Sequence, residues 1–219
     1  PMINSYAFDA SEKNILLACN STKIFRHSFT ADYYLYNIDS KELTKLFDFQ
    51  VQEPTFSPDG QKIAYAKENN LYVYDLASKK STQITTDGKK NSIINGITDW
   101  VYEEEFSFAK AFAWSPDSKK IAFYTFDESQ VPEYNMQMWG DLYPKDYRYK
   151  YPKAGEANSI VNLSVALLDE NKTQAIPVGP EKNQYIPRLK WTKNPDVVGF
   201  IRLNRLQNHM ELLHYSISK

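Results

Sequence analysis

An all-β fold built from repeated antiparallel meanders is what this sequence predicts, and three observations predict it. A ten-residue pattern recurs: Phe56-Ser57-Pro58-Asp59-Gly60-Gln61-Lys62-Ile63-Ala64-Tyr65 returns as Trp114-Ser115-Pro116-Asp117-Ser118-Lys119-Lys120-Ile121-Ala122-Phe123. Each copy sets an aromatic residue, a tight turn and an apolar strand in the same order. Aromatic residues make up 15% of the 219 positions, 16 of them Tyr. Glycine numbers only 7, which suits strands that bury rings rather than a glycine-rich nucleotide fold.

Weaker copies, Phe8-Asp9-Ala10-Ser11 before Ile15-Leu16-Leu17 and Trp191-Thr192-Lys193-Asn194-Pro195-Asp196 before Val197-Val198-Gly199-Phe200, bring the count to four units. The anchors Phe8, Phe56, Trp114 and Trp191 lie 48, 58 and 77 residues apart. The shortest spacing fits a propeller blade of roughly 40 to 50 residues, and the excess marks insertions. In the first two units a second strand follows, at 33–38 and 71–76. A charged turn (Ser40-Lys41-Glu42, Ser78-Lys79-Lys80) then leads to an edge strand at 43–47 or 82–85. The reading is a partial β-propeller of about four blades, each a four-stranded antiparallel sheet, with units near 1–50, 51–98, 99–178 and 179–219.

Two insertions stand out, near 91–110 and 128–159, and insertions in a repeat tend to gather on one face and carry binding. In the first, Asn95-Gly96 makes a turn, Thr98 or Asp99 caps a helix start, and Trp100-Val101-Tyr102 gives it an apolar foot. A helix of one to two turns then carries Glu103-Glu104-Glu105, with Glu104 and Glu105 fanned over one sector. Three like charges in a row cost stability, which a cation would offset. Taken alone, such a triplet reads as a solvated acidic face. The second insertion holds Tyr134, Trp139, Tyr143, Tyr147, Tyr149 and Tyr151 and reads as an ordered excursion packed over the blades.

Charge excludes some classes of partner. With 26 basic and 27 acidic residues the net charge is -1, so no global field points to nucleic acid or an anionic membrane. The lone Cys19, within the apolar run 15–19, cannot form an internal disulfide and is expected to be a buried, inert thiol. His27, His209 and His214 show no metal-ligand spacing with each other or with Cys19, so neither a metal nor a cofactor is expected. Asn20, Asn162 and Asn171 sit in Asn-x-Ser/Thr sequons, to which no function is attached. Pro1-Met2 stands directly before strand-like sequence, so the chain is expected to be a piece of something longer.

The stretch Asn95-Gly96-Ile97-Thr98-Asp99-Trp100-Val101-Tyr102-Glu103-Glu104-Glu105 closely resembles the double-glutamate segment of the dipeptidyl peptidase IV family. Phe25-Arg26-His27-Ser28-Phe29-Thr30-Ala31, Val131-Pro132-Glu133-Tyr134, Tyr151-Pro152-Lys153-Ala154-Gly155 and Asn204-Arg205-Leu206-Gln207-Asn208 resemble further family segments, in the family's order. The resemblance implies an eight-bladed propeller joined to an α/β-hydrolase domain, in a serine exopeptidase that releases N-terminal X-Pro or X-Ala dipeptides. It implies that Glu104 and Glu105 grip the substrate's α-ammonium and that Arg26 helps hold the carbonyl between the first two substrate residues. Two carboxylates suit that task physically, because the ammonium is the group only a chain end has and it offers three charge-assisted donors. The catalytic Ser, Asp and His belong to the hydrolase domain. No Gly-x-Ser-x-Gly elbow occurs in the chain, so no catalytic residue is expected here and the piece alone is expected to be inactive.

The expected partners are peptides with a free N-terminus, the hydrolase domain, a second copy of the full-length enzyme, and, for the piece alone, copies of itself through its cut edges. One cysteine suits a bacterial relative better than the cysteine-rich animal propellers, and the expected home is periplasmic or exported. Two alternatives stand beside this reading. Ser-Pro-Asp-Gly blades also occur in non-catalytic propellers that only bind peptides or proteins, and related peptidases of the fibroblast activation protein-like or tripeptidyl type share the scaffold.

Overall fold

The computed structural model describes residues 2–217. The first sheet runs in chain order through β1 (Ile3–Phe8), β2 (Asn14–Lys23), β3 (Phe29–Asn37) and β4 (Leu43–Lys45). The second repeats the meander with β5 (Gln52–Phe56), β6 (Lys62–Lys67), β7 (Asn70–Asp75) and β8 (Lys80–Gln83). Then come β9 (Ile93–Asn95), the helix α1 (Trp100–Phe106), β10 (Phe112–Trp114), β11 (Lys120–Asp127), the hairpin β12 (Glu133–Met138) and β13 (Lys145–Lys150), β14 (Ile160–Leu167) and β15 (Lys172–Ile176). Strands β10, β11, β14 and β15 form the third blade, and β9 adds to it by pairing with β11. Among the described residues the fourth sheet has β16 (Gln184–Trp191), β17 (Val197–Asn204) and β18 (Met210–Ser216).

The recurring turn explains why the meanders start where they do. Ser57 Oγ accepts the Lys62 N–H at 2.9 Å and donates to Asp59 Oδ1, which in turn accepts the Gln61 N–H. Gly60 supplies the left-handed step at φ 71°, and Ser118 takes the matching place in the third blade. Ser115 makes the same bond to the Lys120 N–H, and in the weak first copy Asp9 Oδ1 substitutes for the hydroxyl, accepting from Lys13 and Asn14. All four units share one backbone bond, from the N–H after the anchor to a carbonyl five residues on: Asp9 to Asn14, Ser57 to Lys62, Ser115 to Lys120 and Thr192 to Val197. Divergent side chains thus serve one conformation.

Apolar layers join neighbouring blades. Leu16, Ala31, Tyr33 and Phe47 of the first unit pack with Val51, Ile63 and Tyr65 of the second. Ala64, Leu71 and Val73 meet Phe112, Ile121 and Phe123 of the third blade, which buries Val165, Ile176 and Tyr124 against Ile186, Val198 and Phe200 of the fourth. Indole groups stitch the inner strands together. Trp114 Nε1 donates to Thr55 O at 3.1 Å, and Trp191 Nε1 donates to Ala113 O at 2.8 Å, each acceptor standing immediately before the previous anchor.

Several expectations need adjustment. Leu46 and Phe47, expected in an edge strand, leave β4 and turn inward to the core, where burying them outweighs extending a solvent-side ladder. The second edge strand runs Lys80–Gln83 rather than 82–85. Ile93–Asn95, expected in the second unit, pairs with β11 and belongs to the third sheet. The second insertion does not lie over the blades along its length. Its strands satisfy each other's backbone groups as a two-stranded ribbon, which lets the tip project, with Trp139 72%, Leu142 93% and Tyr143 82% exposed. Only its base packs. Cys19 is buried and free.

Candidate functional site

Helix α1 is seven residues long, too short to persist without tertiary support. Asp99 caps it: Oδ1 accepts the Tyr102 N–H at 2.9 Å, and Oδ2 accepts the Ser159 hydroxyl at 2.6 Å. Burial pushes the Asp99 carboxyl above the usual carboxylate range, and those two bonds pull against the shift. Gly96 precedes the cap at φ 75°, where a Cβ would meet Leu71 Cδ1 at 3.0 Å, so the Asn95-Gly96 turn admits no larger residue without strain. Tyr102 anchors the helix from below, its hydroxyl accepting the Ile186 N–H of β16 at 2.8 Å. At the far end Ser107 takes a left-handed conformation and Arg188 donates to the Phe106 carbonyl.

Held this way, three consecutive glutamates receive three environments. Glu103 is fully buried, and its Oε1 accepts the His27 N–H at 2.6 Å and the Ser28 N–H at 2.8 Å. Glu104 pairs with Arg26, whose Nε lies 3.1 and 2.8 Å from the two carboxylate oxygens. Glu105 is exposed. Sequence reasoning placed Arg26, Glu104 and Glu105 in one site, and the structure brings Arg26 and Glu104 into contact across 78 residues of chain. The Arg26 side chain is 70% exposed and that of Glu104 only 17%, so the pair adds little net stability and chiefly fixes geometry. Only the inner nitrogen of the guanidinium is engaged with protein. Its two outer nitrogens make no hydrogen bond to the described residues.

The loop carrying Arg26 joins β2 to β3 and is closed by its own sequence. The Ile24 N–H donates to Ser28 O at 2.9 Å and the Phe25 N–H to Ser28 Oγ at 3.2 Å. The hairpin base braces it, with the Phe25 ring 5.5 Å from Tyr149 and Tyr147 Oη donating to Ile24 O. Trp100, at the start of α1, packs on Tyr151 at 4.3 Å between centroids. The second insertion therefore supports both halves of the site. Its aromatics read as packing residues, and at the base they pack here.

Glu103 escaped sequence reasoning, which took the triplet as one acidic face. A usable signal existed, since Glu103 stands three residues from both Trp100 and Phe106 and so shares their side of the helix. The site lies outside a cavity of about 690 Å³ that the inner strands line with Phe8, Phe56, Trp114 and Arg188. A second cavity of about 540 Å³ reaches beneath the Arg26 loop, between Ser28, Asp99, Glu128 and Tyr149. There burial raises the Glu128 carboxyl to about 7, with Asp99 and Asp127 adding to the shift and Lys150 opposing it. Among the described residues no three His, Cys, Asp or Glu side chains are grouped to hold a metal ion.

Of the remaining family-like segments, 131–134 and 151–155 meet where the Tyr151 N–H donates to Pro132 O at 2.9 Å, and Arg205 of the last reaches the residue just after Gly155. Arg205 Nη2 donates to Glu156 O at 3.0 Å and its guanidinium lies over the Tyr185 ring, while Asn158 Nδ2 donates to Tyr185 Oη. These contacts fasten the segment after Tyr151-Pro152 to the fourth blade.

Comparison with known proteins matches residues 9–219 to the family model described as dipeptidyl peptidase IV (DPP IV) N-terminal region. The chain is 34% identical to dipeptidyl peptidase 4 of Felis catus over 99% of its own length, and 38% identical to inactive dipeptidyl peptidase 10 of Mus musculus over 90%. It spans only 30% and 26% of those two proteins. Among solved structures, the Porphyromonas gingivalis dipeptidyl peptidase 4 superposes with a TM-score of 0.92 at 40% identity, covering 98% of this chain and 31% of that one.

Proposed function

Because the chain belongs to the dipeptidyl peptidase IV N-terminal-region family, we propose that it is the substrate-recognition part of a serine exopeptidase releasing N-terminal X-Pro or X-Ala dipeptides. In this reading Glu104 and Glu105 bind the substrate α-ammonium, and Arg26 donates to the carbonyl between the first two residues. The observation that carries it is the Arg26–Glu104 pair, formed between the first blade and the helix before the third. Contact through Nε alone leaves two outward donors for a carbonyl, and the carboxylate keeps lone pairs for an ammonium. Cation and anion are thus set side by side, matching a peptide terminus whose ammonium and first carbonyl are neighbours.

The test is kinetic, in the full-length protein. Glu104→Gln or Glu105→Gln removes one charge-assisted bond of roughly 1.5 to 3 kcal/mol, so kcat/KM for glycyl-prolyl-p-nitroanilide is expected to fall by about one to two decades. A serine-directed phosphonylating reagent that carries no ammonium should still label both variants. Unchanged kinetics in the single and double variants would reduce these residues to a solvated acidic face.

A second reading has one specific observation behind it, the 38% identity to an inactive dipeptidyl peptidase. A family member without turnover would use the same groups only to bind peptide termini. Absence of hydrolysis by the full-length protein, with retained affinity for a free-amine peptide and none for its N-acetylated form, would favour it.

A further inference from the structure

Resting on the same ammonium-site reading, we infer that Glu103 is a positioning residue for Arg26: its buried carboxylate is the template on which the arginine loop is built. The chemistry of its two oxygens is unequal. Oε1 gathers the N–H groups of His27 and Ser28, the two residues that follow Arg26, at 2.6 and 2.8 Å. Oε2 is buried with no hydrogen-bond partner in the protein. Burying a carboxylate away from water is costly, and a purely structural role could avoid that cost with a neutral acceptor. What the carboxylate supplies is two strong charge-assisted bonds to adjacent backbone donors, and these fix the peptide plane directly after the arginine.

Apart from the Arg26–Glu104 pair itself, no other hydrogen bond among the described residues ties that side of the loop to the helix. The Ile24 and Phe25 N–H bonds close the loop on itself, and the Tyr147 and Tyr149 contacts brace it against the hairpin. Among the described residues, Glu103 alone hydrogen-bonds the backbone beside Arg26 to the element that carries Glu104 and Glu105. The consecutive glutamates therefore divide the work, the first placing the arginine loop, the second pairing with the arginine and both later ones facing the ligand. One helix sets the separation between the ammonium-binding and carbonyl-binding groups, so that the distance does not depend on how two blades happen to lie.

The experiment uses the full-length enzyme with glycyl-prolyl-p-nitroanilide as substrate and four variants, Glu103→Ala, Glu103→Gln, Arg26→Ala and the Glu103→Ala/Arg26→Ala pair. Glu103→Ala is expected to raise KM by about tenfold or more with kcat changed by less than about threefold, because chemistry at the distant serine is untouched. Glu103→Gln, which keeps one acceptor oxygen but loses the charge, is expected to recover only part of that loss. In the Arg26→Ala background the alanine change should add less than about a twofold effect, since its target is already gone. Should Glu103→Ala fail to fold, Glu103→Asp, which keeps the charge and withdraws the carboxylate by one methylene, carries the same comparison. Full multiplication of the two effects, or an unchanged KM in a folded Glu103 variant, overturns the positioning role. Those outcomes are separate from failure of the site itself, which would show as unaffected kinetics in the Glu104 and Glu105 variants.

Discussion

At position 26 the distinction between arginine and lysine becomes mechanical. Arg26 uses its inner nitrogen on Glu104 and keeps two outward groups, whereas a lysine has one nitrogen and would spend it on the carboxylate. Arg26→Lys in the full-length enzyme is therefore expected to cost about tenfold in kcat/KM despite the retained charge, measured on a dipeptide chromogenic substrate. Glu128 offers a different residue-scale test. Its folded-state value near 7 lies above a glutamate's ordinary 4.5, so its contribution to stability is complete below about 4.5 and is lost as pH rises through 7. The non-ionising Glu128→Gln should match the parent at pH 4 and exceed it by roughly 2 to 3 kcal/mol at pH 8, read from denaturant unfolding at the two pH values. A flat difference across pH would mean that the side chain finds a partner on opening. At this scale the sequence was only partly legible: Arg26, Glu104 and Glu105 stood in motifs that could be matched. The split between a buried Glu103 and an exposed Glu105 depends on what covers each side of the helix, and Glu103 is met by a loop 75 and 76 residues away.

Helix α1 and its surroundings were readable as an element because the signals are local. Asn95-Gly96 turns, Asp99 caps and Trp100-Val101-Tyr102 gives the apolar foot, all within eight residues. Asp99→Ala removes the acceptor of the Tyr102 N–H and strands the Ser159 hydroxyl, so a loss of about 2 kcal/mol in unfolding free energy is expected for this chain. Asp99→Asn, which keeps an acceptor for the N–H, should lose less, and a larger loss for Asn would show that the negative charge itself is required. The hairpin β12–β13 was harder to read. Its tyrosines announced order but not where that order is anchored, and only Tyr147, Tyr149 and Tyr151 at the base find partners on the Arg26 loop and Trp100. Tyr149→Ala is expected to loosen both, raising KM in the full-length enzyme more than it lowers the melting temperature of this chain.

Across the whole molecule the repeat carried the architecture. Two strong copies of the Ser-Pro-Asp turn fixed the period, and the two weak ones were recoverable because an aromatic anchor and an apolar run survive where the turn residues diverge. What repetition could not convey is the state of the outer faces. Ile3, Tyr6 and Phe8 on β1, and Met210 and Leu212 on β18, are largely exposed, a concentration of apolar surface that seeks cover. This polypeptide is accordingly expected to self-associate through its first or last blade. Light scattering that reports a clean monomer at high concentration would count against that expectation. It is also expected to show no turnover of glycyl-prolyl-p-nitroanilide.

The indole stitches run one way. In each, the donor belongs to the later unit and the acceptor carbonyl to the earlier one, Trp114 reaching back to Thr55 and Trp191 to Ala113. A chain leaving the ribosome presents those acceptors before the donors exist, so the third and fourth meanders each arrive at a seat already made, and their docking can proceed in the order of synthesis without waiting for a distant segment. Turned around, an early meander that fails leaves its successor's indole with no seat, and the fault passes downstream only. Truncations that keep the amino-terminal units should hold their structure better than equal-sized pieces from the other end, a polarity that limited proteolysis of matched pairs would register.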